Sequence, residues 1–243
     1  MTPLIVIPAR MAATRLPGKP LADIHGTPMI VHAWRRATAA GVGPVAVAAG
    51  DREIVDAVEA AGGTAVLTDP ALPSGSDRVW QGVERLDPSG RHDVIVNLQG
   101  DLPDISPASV ARVLDPLRDP DVDIATVVAE ITDDSERDNP NVVKAAVAPG
   151  PDGIGRALYF SRARVPSGDG PHWHHVGIYA FRREALKRFV SLPPSGLELR
   201  ERLEQLRAME AGMRIDAAVS DMIPVSVDTP EDLERARARL AGA

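Results

Sequence analysis

Apolar and polar residues alternate between two patterns along the first half of this 243-residue chain. Residues 4–7 and 93–98 form short apolar runs, as is typical of buried parallel strands. Between such runs apolar residues recur at helical spacing, as Ile54, Val55 and Val58 do. This alternation predicts an α/β fold with a doubly wound, mostly parallel sheet. The predicted strands are residues 4–7, 44–49, 65–67, 93–98 and 123–131, and the predicted helices are 27–41, 51–62, 77–86 and a segment from Pro107.

The pattern changes between residues 139 and 181, where strand-like segments follow one another without long helices. We therefore predict an inserted antiparallel arm at 139–181, within one domain that spans residues 1–243. The strand-like segments are 142–147, 154–160 and 172–181. After the arm, the pattern predicts a helix at 197–212, a strand at 223–227 and a helix from Pro230 that Thr229 caps.

Composition narrows the possible functions. Apolar residues make up 44% of the chain but aromatic residues only 3%, so the core must be aliphatic. A net charge of −7 disfavours a nucleic-acid-binding protein. The absence of cysteine excludes disulfides, cysteine zinc sites and thiol nucleophiles. No apolar run approaches the roughly 20 residues that span a bilayer, and no secretory signal opens the chain, so we expect a cytoplasmic protein without a membrane partner.

The loop after the first predicted strand carries three cations, Arg10, Arg15 and Lys19, with a turn at Pro17-Gly18. Cations at the carboxyl end of a first parallel strand can surround a polyanion such as a triphosphate. A solvated basic loop is the alternative, but such a loop does not require this density of proline, glycine and cations.

Two carboxylates, Asp101 and Asp228, follow predicted strands in the same way. Opposite a triphosphate they would hold Mg²⁺, which prefers few carboxylates together with water and phosphate oxygens. Asp101 alone also fits a turn residue, and the segment from Asp228 to Pro230 also fits a helix start. Together with the cationic loop, the two carboxylates predict a site for a metal ion and a nucleotide.

Other polar groups leave alternatives open. The loop from Ser74 to Arg78 allows close approach to a planar base, although Ser76 also fits a plain helix cap. The histidines between His172 and His175 lack the partners of a zinc site. Glu204 also fits a solvated helix face.

Several blocks in one order resemble the sugar-activating cytidylyltransferases, most closely those that act on 3-deoxy-manno-octulosonate (Kdo). The resemblance covers nearly the whole chain and implies a Rossmann-like nucleotidyltransferase fold. It departs at Leu102, where the family usually has glutamate. The blocks are residues 5–21, 74–78, 97–101, 139–144, 159–163, 175–179, 203–207 and 227–233.

The resemblance implies a role for individual residues. Arg10, Lys19, Asp101 and Asp228 would be catalytic, and the two aspartates would bind the metal. The residues implied in CTP binding are Pro8, Ala9, Arg10, Arg15, Lys19, Ser74, Gly75, Ser76, Arg78 and Gln99. Those implied in binding the acidic sugar are Arg162, His175, Tyr179, Glu204 and Gln205.

The implied function is Mg²⁺-dependent transfer of CMP from CTP to the anomeric hydroxyl of Kdo, with release of pyrophosphate, for lipopolysaccharide biosynthesis. The resemblance also implies a homodimer formed through the arm at 139–181. The alternatives are a cytidylyltransferase for another acidic sugar, such as 8-amino-Kdo or a sialic acid, and a non-catalytic nucleotide-binding protein. A glycosyltransferase would place an Asp-x-Asp motif after a strand, whereas Asp121 and Asp123 precede theirs.

Overall fold

The computed structural model describes residues 1–12 and 15–241. They form two compact units: residues 1–111 with the C-terminal segment from Pro224, and residues 112–223. The strands are β1 Pro3–Ala9, β2 Asp23–Ile24, β3 Thr27–Pro28, β4 Val45–Ala49, β5 Thr64–Leu67, β6 Val94–Leu98, β7 Ile124–Glu130, β8 Lys144–Val147, β9 Ile154–Ser161, β10 Trp173–Arg182 and β11 Ile215–Ser220. The helices are α1 Met29–Ala39, α2 Arg52–Ala60, α3 Gly75–Leu86, α4 Pro107–Arg112, α5 Asp134–Arg137, α6 Arg183–Ser191, α7 Gly196–Glu201, α8 Gln205–Glu210 and α9 Pro230–Leu240.

The first unit is built on a parallel sheet in the order β5-β4-β1-β6. Ile5, Val6 and Ile7 of β1 are all fully buried. Since successive side chains of a strand point to opposite faces, both faces of β1 are covered. The carboxyl ends of β1 and β6 therefore lie side by side at one edge of a covered sheet, where open α/β sheets bind ligands.

The second unit has a sheet in the order β10-β7-β11-β9-β8, and β8 also pairs with β10. Only β7 and β11 are parallel, whereas the other pairs are antiparallel. Strands β8, β9 and β10 are the three strand-like segments predicted at 139–181. The predicted α/β fold with an antiparallel segment is thus confirmed, whereas one domain over 1–243 stays a prediction.

The aromatic residues are concentrated in the second unit, which contains all the phenylalanines of the chain. A line of neighbouring rings runs through it, with centroids 5.1 to 5.9 Å apart. The rings are those of Phe160, His175, Tyr179, Phe181 and Phe189. The core of the first unit is aliphatic, as its composition predicts.

One predicted helix begins later than expected, and one predicted strand does not form. The helix predicted from residue 27 begins at Met29, because Thr27 pairs with Ile24 in a hairpin whose turn contains Gly26 at φ 79°. No strand forms at 223–227: Pro224 lacks an N–H group, and the amide of Val227 donates instead to the carbonyl of Asp101 at 3.0 Å.

The helix predicted at 197–212 is divided into α7 and α8 by Arg202, which lies in the left-handed region at φ 56°. The break leaves the last carbonyls of α7 open to tertiary donors. Arg162 donates to the carbonyl of Glu201 at 2.9 Å and to that of Arg202 at 3.5 Å. Within the described part of the chain, no helix combines the length and apolar character that a membrane crossing requires.

Candidate active site

A cleft of about 380 Å³ opens in the first unit beside the carboxyl ends of β1 and β6. Every residue implied in nucleotide or metal binding lines this cleft except Ser76, which is buried instead. Leu102 is also buried and lies outside the cleft wall. The lining residues are Pro8, Ala9, Arg10, Ala12, Arg15, Leu16, Lys19, Pro20, Met29, Ser74, Gly75, Arg78, Gln99, Gly100, Asp101 and Asp228.

A distant carboxylate and a left-handed glycine shape the cationic loop that carries Arg10, Arg15 and Lys19. Its start is held by Asp51, whose carboxylate accepts from the amide of Met11 at 2.7 Å. Asp51 occupies the N-cap position of α2, but its side chain makes no capping hydrogen bond there and holds the loop instead. Gly18 adopts φ 71°, and this left-handed conformation begins the 3-10 turn Lys19–Leu21. The turn thereby brings Lys19 to the cleft wall.

The Lys19 ammonium lies between the two predicted metal ligands. It is 2.9 Å from Asp101 Oδ2 and 3.1 Å from Asp228 Oδ1. Burial alone would lower the pKa of Lys19, but the two carboxylates outweigh it and hold the pKa above its usual value. Arg15 reaches the other oxygen of Asp228 at 3.0 Å. The cleft therefore contains a compact network of charges in which each carboxylate is paired with a cation.

A helix cap orients Asp228. Thr229 caps α9, and Asp232 completes the capping box by accepting from the Thr229 amide at 2.9 Å. The same carboxylate accepts from the Asp228 amide at 3.0 Å. The backbone of Asp228 is thus held by the helix start, whereas its side chain points to Lys19. The two interpretations of this segment, helix start and cleft carboxylate, both hold.

Arg78 is a buried cation at the cleft wall, 2% exposed. Its guanidinium donates to Thr68 Oγ1 at 2.6 Å and to the Asp69 carbonyl at 3.1 Å. Burial and the nearby charge of Arg10 lower the pKa of Arg78. A buried cation and an exposed one close together at the cleft wall favour an anionic ligand, which would offset their repulsion.

Residues 75–78, expected as part of a loop, form the first turn of α3, and this helix is capped by Ser74 rather than Ser76. The Ser74 hydroxyl accepts from the Asp77 amide at 3.2 Å and donates to the Asp77 carboxylate at 2.7 Å. Across the cleft wall, Gln99 donates to buried Asn97 at 3.0 Å. Both polar groups are therefore held in place before any ligand arrives.

In the second unit, β10 brings His175 and Tyr179 together, with ring centroids 5.2 Å apart. Thr126 fixes the tautomer of His175: its hydroxyl donates to the Ile178 carbonyl at 2.8 Å, so its oxygen accepts from His175 Nε2 at 3.0 Å. Burial, with a smaller effect of His174, lowers the pKa of His175 to about 3. The imidazole is therefore neutral at physiological pH, with Nδ1 as a hydrogen-bond acceptor.

Glu204 and Gln205 lie at the start of α8, and the charge of Glu204 acts on Tyr179. Burial and the charge of Glu204 raise the pKa of Tyr179 well above its usual value, so the phenol stays protonated. Gln205 is 8% exposed, and its amide nitrogen lacks a hydrogen-bond partner among the described residues. A buried amide without a partner costs free energy, which a ligand acceptor would recover.

Arg162 differs from the other implied sugar-binding residues, because it already donates to backbone carbonyls. Besides the carbonyls at the end of α7, its guanidinium donates to the Pro140 carbonyl at 3.0 Å. The buried ammonium of Lys144 donates to the carbonyls of Arg162, Val142 and Asn139 at 2.6 to 2.8 Å. Glu201 accepts from the Arg162 amide at 3.0 Å. This hub ties the segment at 139–142 to the turn before Glu204.

The two histidines before His175 lie in different surroundings. His172 precedes β10 and is fully buried, with its ring nitrogens 3.1 Å from the Gly170 carbonyl and 2.9 Å from the Pro166 carbonyl. His174 lies 3.3 Å from Glu136. No group of three metal-ligating side chains occurs in the described ranges 1–12 and 15–241.

Comparison with known proteins connects this geometry with a family. Residues 4–215 match the family described as "Cytidylyltransferase". The chain belongs to the cytidylyltransferase family. It is 64% identical to the 3-deoxy-manno-octulosonate cytidylyltransferase of Paramagnetospirillum magneticum over 99% of this chain and 98% of that protein. It is 65% identical to the protein of the same name from Rhodospirillum rubrum over 98% of this chain and 95% of that protein.

A solved structure agrees with these relatives. The structure of CMP:2-keto-3-deoxy-manno-octonic acid synthetase complexed with CTP matches this cytidylyltransferase with a TM-score of 0.89. The two sequences are 40% identical, and the match covers 100% of this chain and 99% of the other.

Sequence reasoning missed several residues that shape this cytidylyltransferase. Asp51 anchors the loop, Thr68 holds Arg78, and Lys144 and Glu201 build the hub. Lys144 could have been found from the sequence, because it is a single charged residue inside an otherwise apolar strand pattern. The others gave no such signal, because their partners are distant in sequence or belong to the backbone.

Proposed function

We propose that the chain transfers the CMP group of CTP to the anomeric hydroxyl of Kdo, yielding CMP-Kdo and pyrophosphate for lipopolysaccharide biosynthesis. The observation that carries the proposal is the full-length identity of 64–65% with relatives named for this reaction. The cleft supports it independently, because cations and carboxylates meet there as a nucleotide with a metal ion requires.

In the nucleotide half of the proposal, Arg10, Arg15 and Lys19 hold the phosphates. Arg78 adds positive charge from a fixed, buried position, and Ser74 with the first turn of α3 binds the cytosine. The proposed reaction forms no covalent intermediate with the enzyme. The anomeric oxygen bonds to the α-phosphorus of CTP, the bond from that phosphorus to the bridging oxygen breaks, and pyrophosphate leaves. Positioning and charge neutralisation then supply the rate enhancement.

Asp101 and Asp228 fit a divalent metal ion, and we propose Mg²⁺. Their oxygens are close enough to share one ammonium, and carboxylates are the hard ligands that Mg²⁺ prefers. Such an ion neutralises charge on the triphosphate and polarises the α-phosphoryl group.

In the sugar half, His175, Tyr179, Glu204 and Gln205 provide acceptors and donors for hydroxyl groups. Neutral His175 offers Nδ1 as an acceptor, and the unpartnered amide of Gln205 offers donors. Arg162 stays the candidate for the sugar carboxylate, with the guanidinium N–H groups that its backbone contacts leave available.

Pyrophosphate release with CTP, Mg²⁺ and one sugar at a time tests the proposal. We expect turnover with Kdo and at most a few per cent of that rate with 8-amino-Kdo or sialic acid. Faster turnover with either competitor would reassign the sugar. CTP binding without pyrophosphate release from any sugar would indicate a non-catalytic protein. A cytoplasmic location is part of the proposal and is tested by cell fractionation.

We expect Gly50→Ala to raise the KM for CTP about tenfold. A Cβ atom at Gly50 would lie 2.8 Å from Arg78 Nη1 and 3.3 Å from Arg10 Cβ, so it displaces cations of the cleft. Loss of one charged hydrogen bond costs about 1–3 kcal/mol, or roughly tenfold to a hundredfold in affinity. Steady-state kinetics measures the change. Gly168→Ala is the control, because a Cβ there meets nothing within 4 Å.

We also propose a homodimer formed through the second unit. Leu158 on β9 and Leu199 on α7 are 68% and 66% exposed, and contact with a second copy would remove both apolar side chains from water. We expect Leu158→Glu to convert the dimer to a monomer, as measured by sedimentation equilibrium at micromolar concentration. The matched control is Leu67→Glu, at an exposed leucine of the first unit, which should leave the mass unchanged. A wild-type monomer would contradict the proposal.

A further inference from the structure

The position of Lys19 has a consequence beyond phosphate binding. Its side chain is 17% exposed, and its ammonium contacts one oxygen of each carboxylate proposed to hold the metal ion. A cation held by both Asp101 and Asp228 would occupy much the same place, because both sites are defined by the same pair of oxygens. The ammonium and the metal ion therefore compete for one position.

The charges around the carboxylate pair determine whether the Lys19 ammonium or the metal ion occupies this position. Without nucleotide, a divalent ion would have to enter beside Lys19, Arg15 and Arg10, and would also have to displace the Lys19 hydrogen bonds. With nucleotide, the triphosphate provides anionic oxygens that can accept the same ammonium. Lysine suits this exchange because its charge sits on a flexible four-carbon stem.

We propose that Lys19 is a displaceable internal cation that keeps the nucleotide-free cleft poorly accessible to divalent metal ions. Lys19 leaves the carboxylate pair for the triphosphate when CTP binds, so CTP and the metal ion strengthen each other's binding. This inference rests on the proposed function, since it assumes that the aspartate pair serves a metal ion that accompanies CTP. Reciprocal coupling of this kind is required by linkage, because each ligand changes the affinity of the other by the same factor.

Mn²⁺ binding to the nucleotide-free protein tests the inference, with free Mn²⁺ measured by electron paramagnetic resonance. We expect weak binding to the wild type and at least tenfold tighter binding to Lys19→Met. Lys19→Gln keeps hydrogen-bond donors but removes the charge, and it should bind Mn²⁺ nearly as tightly as Lys19→Met. Adding Asp101→Asn to Lys19→Met should abolish the gain. Lys187→Met, at an exposed lysine on α6, is the control.

Equal Mn²⁺ affinity of the wild type and both Lys19 variants would overturn the inference, as would tight Mn²⁺ binding to the nucleotide-free wild type. Circular dichroism confirms that the compared variants are folded. A separate titration of the wild type with CTP present tests the proposed function. If CTP does not promote Mn²⁺ binding while Lys19→Met binds it tightly, the competition at the carboxylate site stands, whereas the coupling to CTP and the nucleotide assignment both fail.

Discussion

Asp101→Asn is expected to lower kcat by about a hundredfold to a thousandfold, the typical cost of removing one electrostatic catalytic group. Asp101 is one of the two carboxylates that we propose to hold the metal ion, and it pairs with Lys19 at 2.9 Å. The amide keeps the size of the side chain but loses its charge. Initial rates with CTP, Kdo and saturating Mg²⁺ provide the measurement.

The control for this substitution is Asp56→Asn, the same chemical change at an exposed carboxylate paired with Arg52 on α2. It should leave kcat unchanged, because surface ion pairs contribute little. Urea unfolding of Asp101→Asn should show a folded protein. A kcat within tenfold of the wild type would remove Asp101 from the proposed metal site.

Nucleotide selectivity is the second large effect, and we expect CTP to exceed ATP at least a hundredfold in kcat/KM. The base is proposed to lie against Ser74 and the first turn of α3, in a cleft of about 380 Å³ shared with the triphosphate. Ser74 and Arg78 are already held by Asp77 and Thr68, so the wall cannot easily rearrange around a purine.

Discrimination against UTP should be smaller, since uracil differs from cytosine only at its polar edge. Each mispaired group costs about 1–3 kcal/mol, which corresponds to roughly tenfold to a hundredfold. The four nucleotides are compared by kcat/KM with Kdo and Mg²⁺ under identical conditions. Equal use of ATP and CTP would contradict the proposal that residues 74–78 bind the cytosine.

The alternation of apolar runs and helical spacing was sufficient to predict the parallel sheet of the first unit. Strands such as β1 and β6 are buried on both faces, so their sequences are nearly continuous apolar runs, interrupted in β6 by buried Asn97. Because parallel strands present their carboxyl ends at one edge, the order of elements also predicts that Arg10, Lys19 and Asp101 meet there. The cleft contains all three.

The local pattern of apolar and polar residues gave wrong elements where contacts with residues distant in sequence determine the conformation. The helix at 197–212 has a continuous helical sequence, yet it breaks at Arg202, where Arg162 binds the exposed carbonyls. Similarly, the segment at 223–227 has strand composition, but its amides donate to the turn around Asp101 and Asp104. Such contacts join residues far apart in sequence, so no local periodicity reveals them.

The order of apolar and charged segments indicates which charges lie at the cleft, and likeness to a family indicates what chemistry to expect of them. How those charges pair with one another follows only from the three-dimensional fold. Lys19 was predicted to face phosphates, and Asp101 and Asp228 a metal ion, but the fold brings all three into direct contact. Opposite charges in a partly buried cleft neutralise each other when no ligand does so, because unpaired charge is costly to remove from water.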